Sequence, residues 1–229
     1  MEVHKPKPWH GWREFLKEYL IIVVGVLTAL AAEQAVQALH HREQLARTRE
    51  VLRAEMGRML GEALLSDRGE RCKLVQVSEY DAWARGGTKP GYHPSTFTTL
   101  RGSVWEEARA GGVVAFMDID ERLAFGRFYG NAANISSLVE TQRELGRRLE
   151  GFRHLDTLDR PDGQALLREV GAYRGLMRAM ISNTPQLVAL ARQEGVTPTP
   201  PPAAQRKVVD DLCRAADRAP KTASDEDAS

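Results

Sequence analysis

The chain has 229 residues, enough for one domain with a real core and barely enough for two. Its 32 basic and 31 acidic residues leave a formal net charge of +1, which removes the general electrostatic argument for a nucleic-acid partner. A charged fraction of 28% beside 7% aromatics suits a helix-rich, charge-laced protein.

The first element is the stretch EYLIIVVGVLTALAAEQAVQALHHR, residues 18–42. Tyr19 to Ala32 is an uncharged run of 14 residues, short of the roughly 20 needed to cross a bilayer. The helical pattern continues, however, so that a helix over 15–39 would measure about 37 Å. Lys17, Glu18 and Glu33 lie near enough to its ends to snorkel, and Trp9, Trp12 and Tyr19 stand where an aromatic belt belongs. A transmembrane helix over 15–39, after a tail of 1–14, is the expectation. Two rival readings stay open. Ala29-Leu30-Ala31 fits the cleavage site of an export signal, although Glu14 and Glu18 flank its apolar core. A buried helix of a soluble domain is the third, opposed by the apolar residues on every face of 21–27.

The basic residues on the two sides tie, with Lys5, Lys7, Arg13 and Lys17 before the span and Arg42, Arg47, Arg49 and Arg53 after it. Short segments weigh more than long domains in setting orientation, which favours a cytoplasmic N-terminus and an exported C-terminal domain.

Beyond Arg42, Leu45, Val51, Leu52, Met56, Met59, Leu60, Ala63 and Leu64 recur at three- and four-residue steps. The helix they predict persists through Cys72, Val75, Tyr80 and Trp83, then stops in RGGTKPGYHP at 85–94. Ser95 or Thr96 is expected to cap a short helix ending at Gly111-Gly112, and VVAFM reads as a buried connector or a short strand. Asp118, three residues before Glu121, resembles a capping box opening a long helix marked by Leu123, Phe128, Ile135, Leu138, Leu145 and Leu149. Pro161 suits the first turn of a further helix with Leu166, Leu167, Val170, Tyr173, Leu176, Met177 and Met180 on its buried stripe. Asn183 and Pro185 are expected to kink or split it before Gly195. VTPTPPPAAQ (196–205) reads as a stiff linker, 206–218 as a small helix, and 219–229 as a disordered tail. The fold expected is all-α: an N-terminal transmembrane helix continuing into an antiparallel helical bundle over 40–195.

REFLKEYLIIVVGVLTAL resembles the start of a family of uncharacterised bacterial single-span membrane proteins. WEEARAGGVVAFMDIDERLAFGRFYG is similar to their second block, in which a helix, a Gly-containing break and an acidic cap precede a helix with an aromatic pair, here Phe128-Tyr129. The likeness covers about half the chain, and the polar exit Ala31-Ala32-Glu33-Gln34 is shared only loosely. It implies a membrane location and a helical domain outside the membrane, and transfers no catalytic residue.

Candidate sites are few. Gly25, Ala29 and Glu33 fall on one helix face with small-xxx-small spacing, a candidate homodimer face for the span. Trp83, Trp105, Phe128 and Tyr129 would form either a ligand pocket between helices or bundle core. His40 and His41 are adjacent, so their side chains diverge by about 100° and suit no metal. Asp118, Asp120 and Glu121 fit helix capping better than acid–base chemistry. Ser95, Ser103, His93 and Asp81 lack the setting of a nucleophilic triad. Cys72 and Cys213 form no CxxC unit, and whether they pair stays open.

No cofactor is expected. The sequence points to a non-enzymatic, membrane-anchored bundle of sensor or scaffold type, binding the lipid bilayer and an unidentified partner protein or ligand in the bacterial envelope. A membrane-tethered enzyme with a site assembled only in the fold, or a soluble bundle exported after cleavage near Ala31, are the alternatives.

Overall fold

The computed structural model describes residues 11–91 and 99–218. Expectations placed on Lys5, Lys7, Trp9, His93, Ser95, Thr96 and 219–229 lie outside them. The described chain is all-α, with α1 over Trp12–Ala84, α2 over Val104–Ala110, a 3-10 turn over Val113–Phe116, α3 over Ile119–Phe152, α4 over Arg160–Gln193 and α5 over Ala203–Arg218. It divides into two compact units, Met1–Thr48 and Arg49–Ser229.

The first unit holds the N-terminal part of α1. This is the one helix among the described residues long and apolar enough to cross a membrane, and none of its apolar window is buried by protein. Ile21, Ile22 and Leu27 are all at least 60% exposed.

In the second unit α1 supplies one face, with Leu52, Met56, Met59, Leu60 and Ala63 buried and Val51 and Leu64 exposed. It ends where Gly86 takes φ 93° and Gly87 N–H closes on the Ala82 carbonyl at 2.8 Å, a left-handed stop that a side chain resists. The chain then returns along the bundle: the Leu100 carbonyl accepts from Ser136 Oγ and the Arg101 carbonyl from Arg58. The short helix starts at Val104 after Ser103, and VVAF is a 3-10 turn rather than a strand. This return lets α3 run alongside α1 in the same direction. Tyr129 meets Leu52 and Glu55, and Gln142 meets Glu70 further along both helices. α4 comes back antiparallel to α3, pairing Arg174 with Asp81 and Glu194 with Arg53.

Asp118 caps α3 through the Asp120 N–H at 2.9 Å, while Glu121, the expected reciprocal partner, binds Arg49 instead. Asp159 caps α4 through Asp162 N–H, with Pro161 in the first turn. α4 is not split at Pro185. Asn183 Nδ2 donates to the Ala179 carbonyl and Thr184 Oγ1 to that of Met180, so side chains serve carbonyls around the missing N–H. Residues 196–205 are not a free linker. Val196 is buried, and Thr199 N–H donates to the Gly57 carbonyl at 2.8 Å. Gly61 permits this approach, since a Cβ there would lie 1.8 Å from the Thr199 carbonyl oxygen. α5 then docks on α1 through Arg68–Asp210 and a Cys72–Cys213 disulfide with Cα atoms 5.0 Å apart.

Candidate functional site

Two apolar regions occupy the bundle. In one, Trp105 stacks on Tyr129 at 5.7 Å and packs near Phe125, while Phe128 meets Tyr129 edge-on. In the other, Trp83 and Tyr80 pack with Leu149, Leu166, Val170 and Met177. The four aromatic residues singled out from sequence are therefore divided: Trp105, Phe128 and Tyr129 sit together, Trp83 elsewhere, and all four are buried. Gly25 of the candidate dimer face has no neighbour within 4 Å, and Ala29 and Glu33 are exposed. Asp81 is engaged by Arg174, and Ser103 N–H donates to Glu55. No group of three metal-ligating side chains occurs among the described residues.

A buried polar layer accompanies these regions. Glu70, Lys73, Gln76 and Gln142 are each at most 4% exposed. Both Glu70 carboxylate oxygens accept from Gln142 Nε2, at 2.8 and 2.9 Å. Burial pushes the Glu70 carboxyl up to about 8 and the Lys73 ammonium down to about 8, while Glu70 and Glu150 nearby favour the charged lysine. The same low-polarity surroundings disfavour both charged forms. Burial also raises Tyr80, to about 12, and Tyr173.

Beside this layer lies a cavity of about 50 Å³, lined by Lys73, Gln76, Val77, Tyr80, Gly146, Leu149, Glu150 and Tyr173. At roughly 10–15 Å³ per water it has room for three to five waters, or one small polar molecule. Gln76 is the telling residue. Its Nε2 and Oε1 are both buried, and neither finds a protein partner. A buried amide left this way costs a few kcal/mol, so a polar group in the cavity has something to satisfy. Cationic, anionic, amide and phenolic groups converge there without a nucleophile–base pair, which suits recognition of a small molecule carrying both donors and acceptors.

The layer had one sequence signal. Glu70 and Lys73 continue the stripe of Met56, Met59 and Ala63 at helical spacing, so two charged residues stand on a face that should be buried. No known family, curated protein or solved structure matches the chain.

Proposed function

We propose that the chain is a single-pass protein of the bacterial inner membrane, with a cytoplasmic N-terminus and a periplasmic helical bundle. Its role is non-enzymatic and of sensor type, with a small polar ligand held in the Lys73–Gln76–Glu150 cavity. The observation that carries the ligand role is the doubly unpartnered Gln76 amide on the cavity wall. The orientation draws support from the Cys72–Cys213 bond, since such bonds persist in oxidising compartments.

The experiment is a thermal-melting screen of the detergent-solubilised full chain against small amino, hydroxy and carboxylic acids, repeated with Gln76→Leu. A ligand that raises the melting temperature of the native chain and not of the variant is expected. A screen in which every compound shifts both proteins equally would remove the cavity from consideration. A reporter active only outside the cytoplasm, fused after Ser229, tests the orientation. Activity of a cytoplasm-only reporter there would reverse it.

A further inference from the structure

Six large apolar side chains of the second unit are exposed among the described residues: Val51, Leu64, Phe116, Ile119, Leu123 and Val208. Three of them, Phe116, Ile119 and Leu123, lie within eight residues where the chain turns into α3, and Ile119 and Leu123 share a helix face. Arg49 holds this stretch through two 2.6 Å hydrogen bonds to Glu121. The apolar residues thus gather at the end of the bundle that α1 enters.

An open groove of about 570 Å³ adjoins them, lined by Arg49, Arg53 and Arg127 together with Leu123. Its acidic residues are Asp120, Glu121 and Glu194. Glu121 is taken by Arg49, and Glu194 lies 3.8 Å from Arg53. Arg127 is exposed and makes no ion pair among the described residues. The Arg127 guanidinium, with exposed aliphatic and aromatic side chains beside it, matches a phospholipid in both its parts, the phosphate and the upper acyl region. Only nine residues lie between Leu39, the end of the apolar stretch, and Arg49. The bilayer that would hold the anchor is thus the surface nearest in sequence to these residues.

We infer that Phe116, Ile119 and Leu123, with Arg127 beside them in the groove, form a docking surface for anionic phospholipid. It rests on the anchored reading proposed above. Docking fixes the bundle against the membrane surface rather than leaving it to swing on its anchor.

The test uses the full chain carrying Ile119→Cys, labelled with a fluorophore and reconstituted in vesicles containing brominated lipid. With Cys72 and Cys213 joined, the new cysteine is the reactive thiol. Thr157→Cys, in the turn between α3 and α4 at the opposite end of both helices, is the control. Quenching at 119, deeper with phosphatidylglycerol than with phosphatidylcholine alone, and none at 157, is the result expected. Arg127→Ala should weaken the phosphatidylglycerol-dependent part about fivefold. No quenching at 119 in a chain that still floats with vesicles would overturn the docking surface and leave the anchor standing. Equal quenching in both lipids would overturn the arginine assignment. Protection of the 119 label that persists in detergent without lipid would give the surface to a second copy of the chain. Failure of the chain to float would overturn the anchored reading, and this inference with it.

Discussion

Replacing both Cys72 and Cys213 with serine should destabilise the second unit strongly. The bond joins residues 141 apart, spanning about three quarters of that unit. In the chain-entropy account a loop of this length constrains the unfolded state by about 5 kcal/mol at 25 °C. Native bonds measured in small domains give about 2–5 kcal/mol, so a loss of about 3–5 kcal/mol is the working figure. The local consequence follows from α5. It has 16 residues and buries Val209, Leu212 and Ala216 besides the cysteine. A helix of that length is marginal alone in water, and without the bond it rests on these contacts, the exposed Arg68–Asp210 pair and the docked segment before it. The assay is denaturant unfolding of native and doubly substituted chains in one detergent, followed by helical signal, with hydrogen exchange of the α5 amides beside it. The midpoint should fall, and α5 should exchange before α3 and α4 open. An unchanged midpoint with α5 still protected would refute the reasoning, because neither the loop constraint nor the docking would then matter.

Four other outcomes are expected. Because the folded Glu70 carboxyl titrates at about 8 against an ordinary 4.5, its contribution stabilises the fold at low pH and is lost as pH rises through about 8. Glu70→Gln should therefore gain on the native chain in unfolding midpoint between pH 5 and pH 8, and an equal pH response of both would sink the assignment. Gly61→Ala should destabilise by about 1–3 kcal/mol, since its Cβ meets the Thr199 backbone. Gly130→Ala, with nothing within 4 Å, should stabilise by about 0.5–1 kcal/mol in the same unfolding assay. Tyr129→Phe should cost about 1 kcal/mol by chemical denaturation, through loss of the hydroxyl that donates to Glu55 at 2.9 Å.

The elements that the sequence announces are those governed by local chemistry. The stop after Ala84 follows from Gly86, the start of α3 from Asp118, and the start of α4 from Asp159 and Pro161. These need no knowledge of distant residues. The misread elements depend on partners far along the chain. Glu121 leaves its cap for Arg49, 72 residues away. Residues 196–205 look like a linker because prolines predict stiffness and say nothing about docking. The signal lay elsewhere, in Gly57 and Gly61, two helix-weakening residues one turn apart that admit another backbone. Pro185 was expected to kink or split α4, yet the helix runs unbroken over Arg160–Gln193.

The polar layer illustrates the same division and bears most directly on function. Periodicity alone places Glu70 and Lys73 on the α1 stripe, but a charged residue there can also mean that the helix turns its stripe toward solvent. Gln142 on α3 and Tyr173 on α4 decide between these, and both come from helices that only the fold brings near. Apolar residues of similar size would pack such a layer at no electrostatic cost, so stability alone gives little reason for it. The proposed ligand role supplies one. Glu70 has Gln142 as its partner, whereas Gln76 one turn from Lys73 has no protein group to meet, and it stands on the cavity wall.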